Sequence, residues 1–221
     1  MNPMVDGILT NFADRLKDLT RIDVITPEHL GTTNRNKLKE THSLIWGALC
    51  HSVCQTVGKN CVVAIEHSLK SKGMEKGFTP DISLWKFNGV KKLVGIMDYE
   101  STNSSDSRII RRDFENYHRY IQTSLFFNIP EFWVIITTLP SMRVNKSDWY
   151  SWDLRRRRIS RNEYLKMLEN PFQYWVPKYE DKFNKLEKQR RKCPLYIVNL
   201  DITELKLCLP KDKTFSIRLA S

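Results

Sequence analysis

The stretch from Lys91 to Glu100 constrains the fold most. Its centre, Leu93-Val94-Gly95-Ile96-Met97, is almost unbroken apolar sequence, and it ends in Asp98-Tyr99-Glu100. A run of this length and content is characteristic of a central strand covered on both faces. A carboxylate at the end of such a strand is costly to bury unless something compensates it. Side chains on a strand repeat every second residue, so Asp98 and Glu100 share one face, about 7 Å apart along the chain.

Acidic residues recur at the ends of the neighbouring strand-like runs. Cys61–Leu69 is rich in Val and Ile and carries Glu66 and His67 near its end. Phe78–Phe87 carries Asp81 near its start, and Asn88-Gly89 is a two-residue hairpin signal joining it to Lys91–Glu100. If those two runs pair as an antiparallel hairpin, Asp81 comes beside Asp98 and Glu100. Carboxylates converging in this way repel one another unless a hard cation sits among them, and their oxygen atoms suit Mg²⁺ or Mn²⁺.

Helices flank these runs. Asn2-Pro3 reads as an N-cap and first helical residue, followed by Val5, Ile8, Leu9, Phe12, Leu16 and Leu19 at helical spacing. A second helix is expected over residues 35–57, ending at Gly58, with Ile45, Leu49, Val53 and Val57 inward and Glu40 near its start. A third is expected over about 108–126, with Ile110, Phe114, Tyr117 and Ile121 on one side. Phe132–Thr138 is a fourth strand after Pro130. The resulting order, α-β-β-β-α-β, predicts an α/β domain with a mixed sheet between helices.

At these residues the chain resembles the PD-(D/E)XK nuclease superfamily. The resemblance rests on Thr79-Pro80-Asp81 followed 17 residues later by Asp98-Tyr99-Glu100, within the element order of that superfamily's core over residues 35–140. The stretch from Asp98 to Ser105, with Asp106, Tyr117 and Pro130-Glu131-Phe132-Trp133, is further similar to a branch of uncharacterised bacterial nuclease-like proteins. The resemblance implies a restriction-endonuclease-like core and a Mg²⁺- or Mn²⁺-dependent endonuclease that hydrolyses DNA phosphodiester bonds. Asp81, Asp98, Glu100 and Glu66 would be the catalytic and metal-binding carboxylates, with Glu40 a further outer candidate. Glu100 stands where the family usually has lysine, as in restriction enzymes of the BamHI type. Arg111 or Arg112 on the following helix could take the lysine's place.

Charge adds a second line of argument. The net charge is +11, and it is unevenly spread: residues 1–140 hold 17 Lys and Arg against 15 Asp and Glu, and residues 141–221 hold 19 against 10. A basic C-terminal third fits contact with a polyanion. Arg155, Arg156, Arg157 and Arg158 follow Trp149-Tyr150-Ser151-Trp152, a pairing suited to phosphate contact with aromatic stacking. Further on come a helical stretch near 161–170, an aromatic patch of Phe172, Tyr174, Trp175 and Tyr179, a basic run over 182–192, a strand at Leu195–Leu200 and a hairpin of Glu204–Leu209 with Thr214–Leu219. The chain thus divides into an N-terminal helix and loop (1–34), a nuclease-like core (35–140) and a basic C-terminal extension packed on it (141–221).

Other classes are disfavoured. No apolar run is long enough to span a membrane, and the N-terminal pattern is not a secretory signal, so a cytoplasmic protein is expected. Five cysteines without a CxxC pair argue for reduced thiols, and Cys50 and Cys54 read as helix-face packing residues rather than a metal clasp. The partner expected is DNA, with RNA open; cutting both strands would favour a homodimer. The alternative is a catalytically inactive nucleic-acid-binding module of the same fold, and a scaffold using the C-terminal aromatic patch is a third reading.

Overall fold

The computed structural model describes residues 2–25, 35–100, 107–123, 129–139, 193–201 and 206–208. They form a mixed α/β layer structure. Helix α1 (Pro3–Arg21) and helix α2 (Arg35–Thr56) precede strands β1 (Cys61–Ile65), β2 (Ile82–Phe87) and β3 (Lys91–Glu100). Helix α3 (Ser107–Thr123), β4 (Phe132–Leu139), β5 (Leu195–Asp201) and β6 (Lys206–Cys208) follow. The described strands make one sheet in the order β1-β2-β3-β4-β5-β6. Neighbours β1–β2, β2–β3 and β5–β6 are antiparallel; β3–β4 and β4–β5 are parallel. Among the described residues no helix is long and apolar enough to cross a membrane.

Each helix forms where capping and periodicity predict. The Asn2 side chain accepts from the Met4 N–H at 2.9 Å, with Pro3 at the first helical position. Val5, Ile8, Leu9, Phe12 and Leu16 of α1 pack with Ile45, Leu49 and Val53 of α2 onto one sheet face, against Ile82, Leu84, Val94, Met97, Phe132 and Val134. Tyr117, Tyr120 and Ile121 of α3 cover the other face, against Leu93, Ile96, Trp133 and Ile135. Within that layer the Tyr117 hydroxyl donates to the Cys193 carbonyl at 2.7 Å.

The strands depart from the sequence expectation at their ends. The first run stops at Ile65, because Glu66 takes a left-handed backbone (φ 49) that leaves the extended region. The second begins only at Ile82; Phe78 instead forms an isolated bridge with Leu69. The hairpin after β2 closes through three residues, Asn88 to Val90, with Phe87 opposite Lys91; Gly89 supplies the left-handed residue (φ 76). Residues Lys206–Cys208 pair with β5, so the hairpin there is β5–β6. The partner run Thr214–Leu219, the helical stretch near 161–170, the aromatic patch, the run over 182–192 and Arg155–Arg158 lie outside the described residues.

A bulge in β3 has the largest consequence. Leu84 faces Gly95 and Trp85 faces Leu93, so Val94 is an extra residue on β3. Before it, Leu93 faces α3; after it, Ile96 faces α3 while Met97 and Tyr99 face α1 and α2. Asp98 therefore follows Ile96 onto the α3 face. Strict alternation from Leu93 would have put it on the other one.

Candidate active site

The C-terminal end of β3 lies where the sheet changes from antiparallel pairing with β2 to parallel pairing with β4. Continuing the register Ile82↔Met97 by one step sets Asp81 opposite Asp98. Their side chains interlock through backbone donors. Asp98 Oδ1 accepts from the Asp81 N–H at 3.3 Å, and Asp81 Oδ2 accepts from the Tyr99 N–H at 2.6 Å. Asp98 is only 7% exposed. Its Oδ2 accepts from the Trp133 indole N–H at 3.0 Å.

Glu66 closes the site from the end of β1. Its backbone N–H donates to the Asp81 carbonyl at 2.9 Å, and its exposed side chain is near enough for its charge to act on Asp81. Burial is the main cause pushing the Asp81 carboxyl above the usual aspartate range, and the Glu66 charge pushes the same way. The Tyr99 N–H, His42 and Arg112 act against it. A half-buried carboxylate raised by a second carboxylate is a group that a cation would relieve.

Two further side chains frame Asp81. His42 on α2 stacks on the Tyr99 ring, centroids 4.9 Å apart and planes at 23°, and feels the Asp81 charge. Burial nevertheless holds His42 below its ordinary value. Arg112 is exposed on α3, its Nε 3.7 Å from Asp113 Oδ1, and its charge favours the ionised form of Asp81. The carboxylate thus sits at a sheet end influenced from both helical layers.

Comparison of the chain with protein-family models, with curated proteins and with solved structures finds no match.

Of the residues singled out by sequence, the fold brings Asp81, Asp98 and Glu66 together and puts Arg112 within electrostatic reach. Glu100 ends β3 with its backbone opposite Thr137; its side chain and that of Arg111 lie outside what the structure describes. Glu40 is exposed on α2, two positions before His42. Among the described residues no three His, Cys, Asp or Glu side chains form a ready-made metal cage. The donor set is nonetheless all hard oxygen and anionic, and the raised Asp81 fits a site completed by Mg²⁺ or Mn²⁺.

Sequence reading missed His42 and the role of Trp133. Trp133 carried a signal: an indole N–H in a buried parallel strand needs an acceptor, and Asp98 is the carboxylate on the adjacent strand. His42 carried none, because stacking on Tyr99 depends on how α2 crosses the sheet. Cys50 and Cys54 are both free thiols: Cys50 packs against the core as expected, whereas Cys54, also expected to pack, is exposed on α2; burial first, then the charges of Cys54 and Asp81, pushes the Cys50 thiol up to about 11.

Proposed function

We propose that the chain is a metal-dependent endonuclease of the PD-(D/E)XK type that hydrolyses DNA phosphodiester bonds, with a restriction-endonuclease-like core. Asp81 and Asp98 would hold Mg²⁺ or Mn²⁺, with Glu100 as a further ligand or general base and Glu66 as an outer ligand. The observation that carries this reading is the Asp81–Asp98 pair at the open end of β2–β3, beside Glu66, with Asp81 raised by burial and by that neighbour.

A bound divalent ion supplies Lewis acidity toward the scissile phosphate and a more acidic bound water. The protein's part is to hold the carboxylates in register through the Tyr99, Asp81 and Trp133 N–H groups. Arg112, with Arg111 beside it in sequence, would steady negative charge developing on the phosphate. The Arg155–Arg158 run would add phosphate contacts.

Plasmid nicking tests the reading. Wild type and Asp98→Asn are compared on supercoiled DNA with Mg²⁺, with Mn²⁺ and with EDTA. The expected result is metal-dependent nicking by wild type and none by Asp98→Asn, with circular dichroism showing that the variant is folded at the assay temperature. Equal nicking by both would remove the assignment.

One observation favours a second reading, an inactive DNA-binding module of this fold. Both oxygens of Asp98 already accept from N–H donors, as a purely structural carboxylate would. That reading predicts salt-sensitive DNA binding and no product with either metal.

A further inference from the structure

The β2–β3 hairpin extends past its neighbours on both sides. β1 pairs with β2 only up to Cys61 opposite Lys86, and β4 starts opposite Gly95. The Phe87–Lys91 pair and the turn between them therefore stand clear of both neighbouring strands as the tip of a two-stranded ribbon, with Lys86 and Lys92 at its base and a bond from the Phe87 N–H to the Asn60 carbonyl steadying it.

The chemistry of this ribbon is unusual for a free hairpin. From Ile82 to Met97 the sequence holds three lysines and no acid. Lys86 lies directly opposite Lys92, a like-charge cross-strand pair that disfavours the hairpin. Glu131 relieves Lys92 at 2.7 Å, whereas Lys86 has no ion-pair partner among the described residues. Lys91 pairs with Phe87 on the opposite face, its ammonium 4.2 Å from the Trp85 ring centroid. The cations thus lie on both faces of the hairpin, Lys86 and Lys92 at the base of the tip and Lys91 on its first pair. Phe87 is 50% exposed and Val90, in the turn, 76%.

We infer that this ribbon is a DNA-contacting element that enters the major groove of a duplex. A two-stranded ribbon fits a groove about 12 Å wide, where apolar side chains at its tip meet thymine methyl groups and base edges. Lysines on its two faces reach the phosphate rows on the two walls. An anionic lipid surface would be matched by cations arranged in one plane, and the major groove of duplex RNA is too narrow to admit the ribbon. The element is separate from the carboxylate site: Lys91 and Asp98 are roughly 20–24 Å apart along β3 at ~3.4 Å per residue. It holds whether or not Asp81 and Asp98 support turnover.

Fluorescence anisotropy on a labelled DNA duplex over a salt series tests this with the full chain. The Lys86→Gln/Lys91→Gln double variant is expected to bind several-fold more weakly at low salt. The slope of log K against log salt should fall by about 0.9 for each phosphate that the variant no longer neutralises. Phe87→Ser/Val90→Ser is expected to weaken binding with the slope unchanged, because it removes no charge. An unchanged slope and affinity in the lysine variant would overturn the inference. So would retained DNA binding with loss of co-sedimentation on phosphatidylcholine–phosphatidylserine vesicles, which would make the ribbon a lipid contact. Plasmid nicking by the same variants reports separately on the carboxylates, which they leave intact.

Discussion

The indole N–H of Trp133 donates to Asp98 Oδ2 at 3.0 Å, from the buried centre of β4 across to the end of β3. In the parallel register Trp133 lies opposite Ile96, so Asp98 is its diagonal neighbour on the same face, within reach of a long aromatic side chain. The bond satisfies an indole that Phe78, Tyr117 and Tyr120 otherwise enclose in rings. It also fixes the rotamer of the carboxylate that faces Asp81.

Trp133→Phe keeps the ring packing and removes the donor. A hydrogen bond to a charged group contributes about 1.5–3 kcal/mol, so the variant should melt several degrees lower. Asp98→Asn keeps one acceptor oxygen for the indole but turns its amide NH₂ toward the Asp81 N–H, so it should lose stability as well. Thermal denaturation checks this; an unchanged melting temperature in Trp133→Phe would show that the indole bond contributes nothing.

Gly95 is required by close approach. A Cβ there would run into the ring of Phe132, which is fully buried and packs on the α1–α2 side. Gly95→Ala is expected to cost about 1–3 kcal/mol by overpacking. Adding Phe132→Leu should recover part of that loss, and a double-mutant cycle of melting temperatures measures the coupling.

The raised Asp81 has a signed consequence for stability. The folded chain holds this proton to higher pH than the unfolded chain does. Its contribution to stability is therefore present below the ordinary aspartate value of 3.8 and is lost as pH rises through the raised folded value. Asp81→Asn should raise the melting temperature by a few degrees at neutral pH, with the gain vanishing in acid. A stability cost at neutral pH that persists in acid would show that the ionised carboxylate is structural.

His42 behaves in the opposite sense. Burial lowers it, so the stability that goes with its neutral form is complete above the ordinary value of 6.5 and declines as pH falls from there through the lowered folded value. His42→Gln should therefore be more stable relative to wild type in mild acid than at neutral pH. A difference independent of pH would mean that only the stack on Tyr99 matters.

Much of this was legible in the residues themselves. Helical spacing in Val5–Leu16 and Ile45–Val53, the cap at Asn2 and the apolar run in β3 act through neighbouring residues, and each element formed where its pattern predicts. The recurrence of Asp81 and Asp98 at strand ends pointed to a shared location, because a buried carboxylate needs a reason that is visible in one dimension.

What the chain pattern left undetermined depended on contacts between distant segments. The extra residue at Val94 sets which face Asp98 joins, and a bulge exists only in the pairing with β2. His42 meets Tyr99 only once α2 is laid across the sheet, and Trp133 meets Asp98 only through the β3–β4 register. Local sequence determined the elements and their polarity, since propensity and periodicity are short-range. Tertiary structure decided which side chains share a face and which carboxylate is desolvated, because register and burial exist only between elements.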